Sequence, residues 1–450
     1  MLRVLTVAGA LLVIAQLHRA SGGVVSIELH HTFGLGAAEI GLVIGAMMLA
    51  SAMVQVPAGL AFDRFGTRRT VSAMAVVALL GTLLFAAAGG FIGLALARFL
   101  IGVGFAGAVT SIMLLAMHWA PPERFATVAA TVLAGASFAG GLLATTPMAL
   151  ALQNFGWAPT YLIVALLCTL AIGLVYAVIR DSPSGATVRS AGRENLADSF
   201  KGLRAMLGDA DLRRIFAMAA CTIAPFMCVG GLWAGPYLQD VHGLGRDQAS
   251  YVLLGMMVML NLGTLGYGPL DRWFGTCRGV VLAGAGASLV ILATLALLPQ
   301  PPLWLAVLLF LCLGLASPFY VTLTAHGRSF VPLERAGRLV ATINLSALSI
   351  AFGAQWLSGL LVGLTGDGAA LGSALGYRLM FGFLAAMLLV AFLLYYAVPE
   401  RPTTIGARAT PDGSARRARP TSCRPETASS ACGRAASGAR SAELKPGAGP

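Results

Sequence analysis

Residues 59–70 read GLAFDRFGTRRT, and residues 268–279 read GPLDRWFGTCRG. Asp63-Arg64 returns as Asp271-Arg272, and Phe65-Gly66-Thr67 returns as Phe274-Gly275-Thr276, with Trp273 inserted in the second copy. Two more matches keep the same offset of about 210 residues. Gly34-Leu35-Gly36 recurs as Gly243-Leu244-Gly245, and His118 with Pro122-Glu123-Arg124 is echoed by His326 with Pro332 and Glu334-Arg335. A constant offset through corresponding segments marks an internal duplication.

The sequence around these phrases avoids charge. Hydrophobic residues make up 58% of the 450 and charged residues 11%, against about a quarter charged in soluble domains. Mean hydropathy is +0.82, so the composition is that of a membrane protein. A helix needs ~20 apolar residues to cross the hydrocarbon core while satisfying its own backbone hydrogen bonds. The apolar runs predict twelve such helices, centred near Ile14, Met48, Val77, Gly104, Ala136, Ala165, Val229, Met259, Ser288, Leu313, Ser349 and Ala386. The N-terminal run MLRVLTVAGALLVIAQL continues too far, with no clear cleavage site, to read as a signal peptide, so it is taken as the first span.

The expected organisation is a six-helix bundle over residues 1–180, a cytoplasmic linker over 181–212, a second six-helix bundle over 213–399 and a disordered tail over 400–450. The tail has almost no large apolar residues with which to build a core. Arginines set the orientation, because short basic loops stay in the cytoplasm. Arg64, Arg68, Arg69, Arg124, the linker cluster, Arg272, Arg278, Arg328, Arg335 and Arg338 fall in the even-numbered connectors, and Arg246 is the main exception. Both termini are therefore expected in the cytoplasm, with the chain in the cell inner (plasma) membrane. The formal charge of +12 belongs to loops and tail, so no nucleic-acid partner is implied.

The phrase Gly59-x-x-x-Asp63-Arg64-x-Gly66-x-Arg68-Arg69 resembles the loop signature of the major facilitator superfamily, and Arg98-x-x-x-Gly102-x-Gly104 resembles its fourth-helix motif. The resemblance covers roughly Leu2 to Pro399. It implies an all-α membrane fold of two pseudo-symmetric six-helix bundles with a cavity between them, lined by the first, fourth, seventh and tenth helices. It also implies a gating role for Gly59, Asp63, Arg64, Gly66, Arg68 and Arg69, and for Asp271 and Arg272 in the second copy. On physical grounds, Gly59 is expected to allow close helix approach and Gly66 a tight turn. Asp63 suits a helix N-terminus or an arginine. The second copy, with Cys277 in place of a basic residue, is expected to latch more weakly.

Ionisable groups within the membrane are the first functional candidates, because each costs several kcal/mol unless paired or wetted. Arg19 lies in the first span with Gln16 on the same face, and Arg98 lies in the fourth at similar depth. No acidic residue is placed to neutralise them, since Glu28 falls on the opposite face, so the cavity is expected to select an anion through an arginine fork. Trp233 and Tyr237 in the seventh span are the candidate aromatic cover for the substrate, and His18 and Glu28 the candidate coupling groups. The first-span arginine resembles that of the superfamily's anion transporters, while the seventh span lacks the second arginine of its phosphate exchangers.

The sequence thus reads as a secondary or facilitative transporter of a small organic anion, working as a monomer in the bilayer. A proton-coupled drug or metabolite efflux antiporter and a non-transporting membrane sensor are the alternatives. No Walker, G-x-S-x-G or H-E-x-x-H sequence and no Cys-x-x-Cys pair occurs, so no enzyme, cofactor or metal is expected.

Overall fold

A computed structural model describes residues 2–121, 124–181, 206–332, 336–365 and 371–400. Within these, the side chains of Ala126, Asp271, Arg272, Ala336, Gly337 and Arg338 are not described. The expected linker and tail, and the Pro122-Glu123 and Glu334-Arg335 echoes, therefore lie largely outside the described residues.

Twelve helices are long and apolar enough to cross a membrane, and each predicted centre falls inside one of them. The first six spans are Leu2–Ala20, Ala37–Phe65, Thr67–Ala87, Phe91–Trp119, Thr127–Phe155 and Trp157–Val178. The seventh to twelfth are Ala210–Asp240, Arg246–Leu270, Cys277–Leu297, Leu303–Arg328, Leu339–Gly363 and Ala374–Tyr396. No strand occurs among the described residues. The first span turns at Ser21 and continues as a helix over Gly22–Phe33.

The duplication is visible in the backbone. Gly34 and Gly243 take φ of 65° and 67°, a left-handed conformation open to glycine. Each ends a helix in the same way, with Gly34 N–H donating to His30 O and Leu35 N–H to Leu29 O, and Gly243 N–H to Gln239 O and Leu244 N–H to Leu238 O. Two residues on, Glu39 accepts from Gly36 N–H at 2.9 Å and Gln248 accepts from Gly245 N–H at 3.1 Å. The two loops lie at one end of the bundle, because Glu28 just before the first binds Arg246 just after the second, at 2.9 Å. Corresponding segments that share an end make the halves parallel copies, not inverted ones.

The signature loops are also twins. Gly66 (φ 80°) and Gly275 (φ 65°) make the turns. At the start of the third span, Arg68 N–H donates to Asp181 Oδ1 at 2.7 Å, the Arg68 guanidinium reaches Tyr176 O at 2.6 Å, and it lies 4.4 Å from the Tyr176 ring centre. At the start of the ninth span, Cys277 and Arg278 N–H donate to Glu400 at 2.9 and 3.0 Å. The Arg278 guanidinium meets Tyr396 O and the Tyr396 ring. Arg278 is thus the counterpart of Arg68, one position along from where sequence alignment puts it, and the basic contact survives the presence of Cys277.

These contacts place the N-terminal carboxylate elsewhere than at Asp63 and leave Gly59 outside the close helix contacts. The carboxylate at the N-terminus of the third span is Asp181, from beyond the sixth span, whereas Asp63 is exposed. A side chain at Gly59 would meet open space rather than a neighbouring helix, although Ala58 and Phe62 on the same span are buried. An N-terminal carboxylate cap contributes about 1 kcal/mol. Asp181→Ala is therefore expected to lower the thermal unfolding midpoint by about 2–4 °C, with Asp181→Asn recovering most of the loss. An unchanged midpoint in Asp181→Ala would remove the capping role.

Candidate functional site

The two halves meet tightly at the Gly34/Gly243 end. Gly22 and Gly23 of the first helix lie against the carbonyls of Gly231 and Gly230, and Gly235 lies against the carbonyl of Gly23. Alongside, Gly41 faces the carbonyl of Gln355, and Gly359 faces that of Ala37. Side chains at these positions would drive the helices apart, so small residues set the approach. The seventh span is a π-helix over Val229–Trp233, followed by Pro236. Pro236 has no N–H to close a bond on the Leu232 carbonyl four residues earlier. That carbonyl instead accepts from Ser26 Oγ of the first helix at 3.1 Å. Neither the π-turn nor this bond was anticipated from the sequence, although a proline four residues after Leu232 was its available signal.

Toward the other end the first helix leaves the second half. Gly22–Phe33 packs on Val229–Asp240, whereas Leu2–Ala20 packs chiefly on the fourth, fifth and sixth spans. Its remaining accessible stripe runs through Arg3, Thr6, Ala10, Val13, Gln16 and Arg19 at helical spacing. Arg19 is the last of these, just below the glycine contacts. Its guanidinium has no hydrogen-bond or ion-pair partner among the described residues, and its Nε is buried. Gln16 is pinned by Gly140 of the fifth span, where even a methyl group would come within 2.7 Å of Gln16 Cβ. The Gln16 amide oxygen is buried and unpartnered.

Arg98 is placed differently. It is 1% exposed, donates from Nη1 to His18 O at 2.7 Å, and lies 4.5 Å from the Phe85 ring centre. The two arginines share a depth, since Arg98 touches the carbonyl of the residue preceding Arg19, but the structure does not bring them onto one open surface. His18 is also buried, with its ring 6.2 Å from Tyr161 and 5.7 Å from Phe105. Its Nε2 lies 3.2 Å from Thr82 Oγ1. Because the Thr82 hydroxyl donates to Ala78 O at 2.8 Å, Nε2 is the donor in this pair, and the Nδ1 lone pair is left facing the core without a partner.

Trp233 and Tyr237 sit in the core of the second half, 0% and 3% exposed. Trp233 Nε1 donates to Ser358 Oγ at 2.8 Å, and the Tyr237 ring packs among Phe310, Tyr377 and Phe381. Neither shares a surface with Arg19 in this conformation. Glu28 is held by Arg246 and by the Thr32 hydroxyl, so it does not neutralise Arg19. Arg64 and Arg69 are exposed, like Asp63. No group of three or more metal-ligating side chains occurs among the described residues.

The family model for the Major Facilitator Superfamily matches residues 7–355. The chain belongs to the Major Facilitator Superfamily. Among curated proteins, this superfamily member is 26% identical over 253 residues to the hexuronate transporter of Bacillus subtilis (strain 168), covering 53% of this chain and 57% of that protein. It is 25% identical over 352 residues to the probable sulfoacetate transporter SauU of Cupriavidus necator, covering 73% and 79%. Thus it spans little more than half the length of the hexuronate transporter. Among solved structures, a bacterial homologue of the human lysosomal transporter Spinster superposes with TM-score 0.71 at 20% identity, covering 88% of this chain and 96% of that one. A D-xylose-proton symporter does so with TM-score 0.70 at 16% identity, covering 89% and 98%. At such identities the likeness establishes the fold alone. As a superfamily member with twelve apolar helices, the chain is a multi-pass membrane protein of a transporter family.

Proposed function

We propose that this chain carries a small organic anion across the membrane by alternating access, with Arg19 as the group that holds the anion. The observation that carries this reading is an arginine within the first membrane span that has no acidic or hydrogen-bonding partner among the described residues and lies at the head of an accessible stripe. A half-buried charge with no counter-charge is incompletely hydrated, and an incoming carboxylate or sulfonate replaces the missing hydration through a two-pronged, charge-assisted contact. The names of the two curated relatives, transporters of a hexuronate and of sulfoacetate, support an anionic cargo.

The halves over residues 1–180 and 213–399 are the bodies that rock. The glycine contacts and the Ser26–Leu232 bond close the Gly34/Gly243 end, which the arginine distribution assigns to the outside of the cell inner membrane, with both termini inside. Opening that end breaks the Glu28–Arg246 pair, which makes Glu28 the better coupling candidate. His18, enclosed beside Arg98, is the weaker one.

The test is counterflow in liposomes holding the purified protein, with organic acids and their neutral sugar analogues offered in parallel. Exchange of acids without exchange of the neutral analogues is expected. Exchange of neutral solutes with none of the acids would overturn the reading.

A further inference from the structure

We infer that the solute carries a single negative charge together with hydroxyl groups, making it a small hydroxylated monocarboxylate rather than a diacid or an unsubstituted fatty acid. This rests on the reading of Arg19 as the anion anchor. The charge follows from which arginine near that site a solute can touch. Arg98 lies within the first bundle, with Nη1 on the His18 carbonyl and its face on Phe85; its Nε and Nη2 are buried without a partner, and at 1% exposed it offers a solute no contact. Arg246, at the closed end, is bound to Glu28. Arg378 gives its Nε to the Ala296 carbonyl at 2.9 Å, at the start of the twelfth span. That leaves the Arg19 guanidinium without a partner among the described residues at this depth. One guanidinium matches one carboxylate. The second carboxylate of a diacid would lose its water with no accessible guanidinium to bond it, an unfavourable exchange.

The hydroxyl requirement follows from Gln16. It lies one turn before Arg19 on the same stripe, and positions so related place their Cβ atoms ~5–6 Å apart. Its amide oxygen is buried without a donor. Turning the amide about its last bond exchanges oxygen and nitrogen, so Gln16 can accept from or donate to a hydroxyl on the carbons beyond the carboxylate. A hydrocarbon chain there would leave the amide unpaired, and sites built to hydrogen-bond a hydroxyl reject analogues that lack it.

Three probes separate the parts of this inference in reconstituted wild-type protein: gluconate, with one carboxylate and hydroxyls; glucarate, with the same skeleton and two carboxylates; and hexanoate, with one carboxylate and none. Gluconate is expected to exchange at least tenfold faster than glucarate, and unlabelled hexanoate to compete at least tenfold more weakly than unlabelled gluconate. Gln16→Arg, which adds a second guanidinium to the stripe, is expected to shift the gluconate-to-glucarate ratio at least tenfold toward the diacid. Equal or faster exchange of glucarate by the wild type would overturn the single charge, and equal competition by hexanoate would overturn the hydroxyl requirement. Movement of neutral glucose with none of the acids would instead bring down the anion reading beneath both.

Discussion

Arg19→Gln protein in liposomes is expected to exchange organic acid at least a hundredfold more slowly than the wild type while unfolding at no lower temperature. The two halves of this expectation have the same cause. The wild-type guanidinium makes no bond to the described protein, so replacing it with a neutral amide breaks nothing in the empty fold and relieves a poorly compensated charge. In the loaded state it removes a charge-assisted, two-pronged contact, and such bonds contribute ~1.5–3 kcal/mol each. A loss of about 3 kcal/mol corresponds to roughly a hundredfold. Arg19→Lys keeps the charge but not the planar fork, so an intermediate loss, about tenfold, is expected. Uptake by Arg19→Gln within threefold of the wild type would show that the anion is held elsewhere.

The second large effect belongs to Gly22. A side chain there would be forced into the Gly231 carbonyl oxygen, in the contact that shuts one end of the molecule, and would also come close to Ile44 within its own half. Overpacking of this kind costs about 1–3 kcal/mol, and the share against Gly231 is borne by the closed state alone. Gly22→Val should therefore shift the population toward the open Gly34/Gly243 end by about 5- to 150-fold. In a background lacking the native cysteines, Ile27→Cys, buried at the closed end, would report the change. Its reaction with a membrane-impermeant maleimide is expected to quicken at least tenfold when Gly22→Val is added, with transport slowed in parallel. Unchanged labelling would mean that the glycines serve packing and not closure.

The parts of the fold legible in the sequence were those set by local chemistry. Gly34, Gly66, Gly243 and Gly275 stand where a left-handed turn is needed, and the apolar runs mark the spans, so both the repeat and the helix count could be read directly. Asp181 and Glu400 were not found, because their partners lie 113 and 122 residues away in sequence and Asp63 offered a nearer acid. Helical periodicity placed Gln16 and Arg19 on one face, and that face is the accessible one. Periodicity could not say which neighbours cover a face, and so did not separate enclosed Arg98 from open Arg19. Trp233 ends the π-turn at Val229–Trp233 and Tyr237 follows it, where wider winding offsets these side chains from the phase of a regular helix. The turn depends on packing against the first helix as well as on local sequence.

Whether Arg19 holds the cargo is decided by a structure of the protein with gluconate bound. The carboxylate should lie on the Arg19 guanidinium with N–O distances of about 2.7–2.9 Å, a hydroxyl should reach the Gln16 amide, and Arg98 should remain on the His18 carbonyl. Gluconate bound against other residues, with Arg19 as unpartnered as in the empty protein, would contradict it.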